Sequence, residues 1–236
     1  MNNTPLPTAI VTGATGGMGS VIVRDLASTH RVIALGRSPR GLDALAALPG
    51  VTAVSADLGA PDQLGAVLGE LFAGLPRIDA LVHAAAIGAH RQVAEASVDE
   101  WEQHLRVNVI APAELTRLAL PGLRAAEGTV VFLGSGAGTR PVPGSAVYAA
   151  SKHALRGLAD TLRIDEEPHR VRVTTVAPGQ TDTPMLRSGI APEAYTPERY
   201  IRPESIAAAV RFVLEAGADT HLTDLAVRPR QEIARR

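Results

Sequence analysis

Short, uniformly apolar runs alternate along this chain with longer stretches of helical pattern. Apolar runs of strand length lie at 9–12, 31–35, 51–56, 78–84, 129–134, 171–176 and 222–227. Helical patterns fill 18–28, 41–48, 61–73, 98–126, 147–166 and 203–216, with breaks expected near Pro112 and Pro121. A strand that is apolar on both faces needs cover on both faces, and parallel strands need helical crossovers. The rhythm therefore predicts an α/β fold: a doubly wound parallel sheet in a three-layer α/β/α sandwich. No linker or repeat interrupts it, so residues 1–236 are read as one domain. The segment 180–202 breaks the rhythm, with Pro184, Pro192 and Pro197 and no period. It follows a strand end, where ligands of open α/β sheets sit, and is read as a substrate lid.

Composition removes several function classes. The 236 residues carry a net charge of −1, which gives no electrostatic case for nucleic acid or anionic membrane. Three Phe, three Tyr and one Trp are too few for base-stacking platforms. The absence of cysteine excludes disulfides, thiolate metal sites and cysteine nucleophiles. No apolar run reaches the ~18 residues of a membrane helix. The first residues, Met1-Asn-Asn-Thr-Pro-Leu-Pro7, lack the features of a signal peptide. The expectation is a soluble cytoplasmic protein without metal, membrane or nucleic-acid partner.

Between the first strand and the first helix stands Thr12-Gly-Ala-Thr-Gly-Gly-Met-Gly19. Glycines permit a tight turn and let a pyrophosphate approach the backbone. The helix N-terminus adds unpaired N–H groups and a favourable dipole. The string reads as a dinucleotide cradle. The second strand ends Gly36-Arg37-Ser38, without the acidic residue that would bond the ribose of NAD. A guanidinium pairs with phosphate and stacks on adenine, so Arg37 favours NADP(H), with NAD(H) the alternative. Asp57, after the third strand, is placed either to accept from the adenine amine or to cap a turn.

Tyr148 and Lys152 stand four residues apart in a helical stretch and so share one face. A free tyrosine titrates near pH ~10. An adjacent cation favours the phenolate, which would make the pair a proton donor and acceptor nearer neutral pH. Ser135 ends the apolar run at 129–134 and meets the tyrosine if strand and helix pack side by side.

Together these residues resemble the short-chain dehydrogenase/reductase family in its compact single-domain form, a Rossmann fold, over nearly the whole chain. Thr12-Gly13-x-x-x-Gly17-x-Gly19 is similar to the family's cofactor signature. Asn108, Ser135, Tyr148 and Lys152 are similar to its catalytic tetrad in order and spacing, and Pro178-Gly179 with Thr183 to the segment that meets the nicotinamide. The resemblance implies a cofactor site of Gly13, Thr15, Gly17, Met18, Gly19, Arg37, Asp57, Leu58, Ala84, Ala85, Tyr148, Lys152, Pro178, Gly179, Thr181 and Thr183. It implies hydride transfer between nicotinamide and a small carbonyl or alcohol substrate, with Tyr148 moving the proton. Lys152 would bind the nicotinamide ribose, Ser135 the substrate oxygen, and the Asn108 carbonyl a relaying water. A homodimer or homotetramer is expected by the same analogy. The intact Ser135/Tyr148/Lys152 set argues against a non-catalytic dinucleotide sensor.

Departures from the family pattern are local. His83-Ala-Ala-Ala86 stands where Asn-Asn-Ala-Gly is common, and His83 is read as structural. Gly16 replaces a basic residue of some NADP-preferring members, and the C-terminus lacks the common Gly-rich ending. The substrate pocket is expected from 87–92, 136–145 and 180–202. Met185, Leu186 and Tyr195 are read as lid residues, and Arg91, Arg140 and Arg187 as solvated surface arginines.

Overall fold

A computed structural model describes residues 5–231. Its elements run β1 (Thr8–Thr12), α1 (Gly17–Leu26), β2 (Arg31–Gly36), α2 (Pro39–Ala46), β3 (Val51–Ser55), α3 (Leu64–Ala73) and β4 (Ala80–His83). They continue with α4 (Val98–Leu105), α5 (Ala111–Ala126), β5 (Thr129–Leu133), α6 (Ala146–Asp165), β6 (Arg172–Pro178), α7 (Pro184–Arg187), α8 (Pro203–Leu214) and β7 (Asp224–Val227). The strands form one parallel sheet in the order β3-β2-β1-β4-β5-β6-β7, the doubly wound Rossmann architecture.

Each strand serves two cores because successive side chains point to opposite faces. Ile10, Leu81, Val130 and Phe132 meet Leu68 of α3, Leu115 of α5 and Leu155 of α6. Their neighbours Val11, Val82 and Val131 face the other way, onto Ile22 of α1, Leu45 of α2 and Val210 of α8. Fully buried aliphatic side chains of this kind each stabilise by about 1.5–3 kcal/mol, so both helical layers are pinned to the sheet.

The path of the chain positions the site. β1 pairs with β2 on one side and with β4 on the other, Thr12 lying opposite both Leu35 and His83. The winding reverses there, and the C-terminal ends of β1 and β4 open a crevice between their loops.

Two expectations are corrected. The helical stretch 98–126 does not break at its prolines. It is interrupted by a π-turn at Arg106–Ile110, after which the Ala111 N–H bonds to the Arg106 carbonyl. Pro112 follows just after this turn, and the N–H it lacks is the one that would otherwise reach the Asn108 carbonyl four residues earlier. Pro121 lies inside α5 but on its exposed face, where a carbonyl that loses its donor is open to water. Helix α2 also starts earlier than expected. The Ser38 hydroxyl caps it by accepting from the Gly41 N–H at 3.3 Å, and Pro39 follows at the first helical position.

The 180–202 segment is closed at its base, where Thr181 bridges Ile201 in parallel. Between these points lie α7 and single 3₁₀ turns at Pro192–Ala194 and Pro197–Arg199. No helix among the described residues is long and apolar enough to cross a membrane.

Candidate active site

The glycine-rich turn leaves β1 through Gly13, whose φ of +62° lies in the left-handed region. A Cβ there would come within 2.6 Å of the Ala85 Cα. The turn and the end of β4 are therefore in backbone contact, and the Ala85 N–H donates to the Thr12 hydroxyl at 3.2 Å. Gly19, one turn into α1, lies against the Gly13 carbonyl, so α1 packs directly on the turn. A Cβ on Gly17 would fall 2.8 Å from the Thr183 side chain, which ties the start of the 180–202 segment to the same turn.

A cavity of about 400 Å³ runs along these loops. Its wall includes Gly13, Thr15, Gly17, Met18, Gly19, Arg37, Asp57, Leu58, Ala84, Ala85, Tyr148, Lys152 and Thr183, all sequence-expected cofactor residues. A shape that a Cβ at Gly13 or Gly17 would fill suits an extended dinucleotide held by backbone N–H groups. Pro178, Gly179 and Thr181 are not among the residues of this wall. Thr181 is buried and donates to the Gly179 carbonyl at 3.1 Å, so it shapes the loop rather than facing the cavity. Sequence reasoning missed Val107 and Gly134 on the wall. Both adjoin residues it did identify, Asn108 and Ser135, and that adjacency was the available signal.

At the end of the cavity beside β2 and β3, Arg37 and Asp57 face each other, with Nη1 and Oδ1 at 3.4 Å. Both side chains are well over half exposed, so the pair is weak and the guanidinium is free to turn. Asp57 Oδ1 also accepts from the Gly59 N–H at 2.9 Å, which fulfils the turn-capping alternative.

At the other end Lys152 is 2 % exposed and its Nζ donates to the Leu133 carbonyl at 2.9 Å. The ammonium lies 5.8 Å from the centre of the Tyr148 ring. Burial lowers the Lys152 pKa to about 8. The expectation that the lysine lowers the phenol meets a counter-effect here. Burial raises the Tyr148 pKa, and the opposing influence is the neighbouring Ser135 hydroxyl, which favours the phenolate. The structure thus brings Ser135 and Tyr148 together, with Ser135 Oγ accepting from the Ala137 N–H at 3.1 Å.

Asn108 is fully buried and stands off the cavity wall. Its Oδ1 accepts from the Ile87 N–H and its Nδ2 donates to the Ile87 carbonyl, both at 2.9 Å. Nδ2 also donates to Ser151 Oγ at 2.9 Å, and Ser151 donates to the Tyr148 carbonyl at 2.8 Å. The amide therefore clamps the loop after β4 to the helix that carries Tyr148. That loop contains Gly88, whose added Cβ would meet both the Tyr148 ring at 3.4 Å and Met185 of α7 at 3.3 Å. Because residue 112 is proline, it has no N–H for the Asn108 carbonyl four residues earlier, which sets that carbonyl apart from the regular helical ladder.

His83 takes no part in this constellation. It is 1 % exposed, stacks on Phe132, and its Nε2 is hydrogen-bonded to Thr116 Oγ1 at 2.9 Å. Burial pushes its pKa down to about 3. Arg91 and Arg187 are occupied by carboxylates: Arg91 bonds Glu100 at 2.9 Å, and Arg187 grips Asp182 at 2.6 and 2.7 Å.

The family model for short chain dehydrogenases matches residues 7–193. The chain belongs to the short-chain dehydrogenase/reductase family. It is 32% identical to the NADP-dependent 3-hydroxy acid dehydrogenase YdfG of Escherichia coli K12, covering 93% of this chain and 94% of that protein. A short-chain dehydrogenase/reductase from Corynebacterium glutamicum is 43% identical over 94% of this chain and all of its own, with a TM-score of 0.71. The closed form of serine dehydrogenase complexed with NADP⁺ is 30% identical over 93% of this chain and 94% of its own, with a TM-score of 0.84. As a short-chain dehydrogenase this is an oxidoreductase whose relatives include NADP-dependent enzymes.

Proposed function

We propose that this short-chain dehydrogenase is an NADP(H)-dependent carbonyl reductase or alcohol dehydrogenase acting on a small substrate. The supporting observation is one cavity that joins Arg37, the glycine-rich turn, Lys152 and Tyr148. When bound, the nicotinamide supplies or accepts the hydride. The glycine-rich turn and the N-terminus of α1 hold the pyrophosphate, Arg37 meets the 2′-phosphate, and Lys152 meets the nicotinamide ribose. Ser135 donates to the substrate oxygen and stabilises negative charge developing there. Tyr148 delivers the proton to that oxygen during reduction and takes it back during oxidation. A raised phenol pKa keeps Tyr148 protonated at neutral pH, the form reduction requires. Asn108 holds the helix and the loop after β4 in register, and its backbone carbonyl positions a water between Lys152 and solvent.

Exposed Leu105, Ile110 and Ile164 on α4, the π-turn and α6 suit subunit contacts, in line with a homodimer or homotetramer. Light scattering of the purified protein at micromolar concentration checks this, and a monomer would refute it.

The cofactor assignment is tested with Arg37→Ala. A charge-assisted contact with the 2′-phosphate is worth about 1.5–3 kcal/mol, so KM for NADPH should rise by roughly 10- to 150-fold while KM for NADH barely moves. Equal KM values for NADPH in wild type and variant would reject the assignment.

A further inference from the structure

A second cavity, of about 680 Å³, lies between the end of the lid and the segment after β7. Arg199, Arg202, Arg228 and Arg230 line it, with Glu198 as the one carboxylate on its wall. Most arginines elsewhere in the protein are tied to carboxylates: those at 37, 77, 91, 106, 117, 124, 156, 163, 170, 187 and 211 all form ion pairs. Among the described residues Arg199, Arg202 and Arg230 have no such partner. Three unneutralised guanidinium groups around one cavity create a concentrated positive potential. The first turn of α8 borders the same space at Ser205, whose N–H is bonded to the Arg202 carbonyl at 2.9 Å, so the side chains of the arginines carry the field.

One side chain of the cavity wall approaches the residue beside Ser135. Arg228, on its wall, extends to Gly136, where an added Cβ would meet its Nη1 at 2.9 Å. Gly136 directly follows Ser135. Pro229 in turn packs on Gly179, at the base of the lid. One arginine thus reaches from the cavity to the residue beside the hydroxyl that binds the reacting oxygen.

We propose that this cavity binds the acidic end of the substrate, so that the enzyme acts on carbonyl or alcohol compounds carrying a carboxylate or phosphate remote from the reacting carbon. The proposal rests on the oxidoreductase reading above. Planar guanidinium groups suit either anion through paired N–H donors.

The test compares wild type with Arg202→Gln/Arg230→Gln, both at exposed positions, after matched melting temperatures show that the variant folds. Keto acids of increasing length and their methyl esters are assayed as substrates with NADPH. The expected result is a wild-type preference for one acid over its ester, with the acid-to-ester ratio of kcat/KM falling about tenfold or more in the variant. Free succinate should inhibit the keto acid competitively in wild type and more weakly in the variant. Equal acid-to-ester ratios in the two proteins, with esters turned over, would overturn this inference and leave the oxidoreductase reading standing. Succinate that raises the melting temperature of wild type alone, beside an unchanged ratio, would make the cavity a site for a free anion and overturn the substrate assignment. Failure of wild type to turn over any keto acid or ester with NADPH would reject the proposed small-carbonyl reductase activity itself.

Discussion

His83 stands at the end of β4 opposite Thr12, 1 % exposed and stacked on Phe132. Its Nδ1 is buried without a hydrogen-bond partner among the described residues, so a second proton would have no acceptor. Burial holds the ring's pKa at about 3, against 6.5 for the free side chain. The unfolded chain therefore binds a proton below pH ~6.5 that the folded protein refuses until about pH 3. A folded pKa below the unfolded one means stability fully present above ~6.5 and lost as pH falls. Each pH unit in that window costs about 1.4 kcal/mol, so from pH 7 to pH 5 this residue alone removes about 2 kcal/mol. His83→Asn retains a polar group toward Thr116 but does not titrate. Urea denaturation of both proteins at the two pH values measures the difference, and other titrating groups cancel in the comparison. Wild type should lose about 2 kcal/mol more than the variant between those values. Equal losses would show that His83 accepts its proton inside the fold. A fall of several orders of magnitude in kcat for His83→Asn would place the ring in the chemistry.

Three further outcomes follow from the site. Gly13→Ala would place a side chain at φ +62° and into the Ala85 backbone. Cofactor affinity should fall by at least about tenfold, read by NADPH fluorescence titration, because the turn must move. Asn108→Ala would leave Ile87 and Ser151 without their buried partners. It should cost about 2–4 kcal/mol of stability in denaturant and lower kcat more than it raises KM, because the loop and Tyr148 lose registry. The raised Tyr148 pKa sets opposite pH trends for the two directions. Ketone reduction should hold through neutral pH, while alcohol oxidation, which needs the phenolate, should climb toward alkaline pH. Parallel profiles would contradict that assignment.

The alternation of apolar runs and helical patterns made the sheet and its cover legible, because a strand buried on both faces leaves no polar register to read. The glycine string was legible because its position between strand and helix carries the meaning. Tyr148 and Lys152 were legible because four-residue spacing fixes a helix face. The π-turn before Pro112 was not, since bonding five residues apart leaves no periodic trace in five residues. Nor was the balance of forces on Tyr148. Sequence shows the neighbouring cation, whereas the burial that opposes it arises from the packed fold. The Asn108 clamp depends on Ile87 and Ser151, residues brought together only when the π-turn, α6 and the loop after β4 meet. The approach of Arg228 to Gly136 likewise joins segments far apart in the chain.

The most direct measurement is NADPH oxidation with a panel of ketones, aldehydes and keto acids, for wild type and Tyr148→Phe, alongside NADPH binding to each. Phenylalanine keeps the ring between Lys152 and Gly88 and removes only the hydroxyl near Ser135. Turnover in wild type, a loss of kcat of about 10²–10⁴-fold in the variant and near-equal NADPH affinity are the predicted result. Turnover that survives the substitution would contradict the account, because proton delivery would then belong to another group.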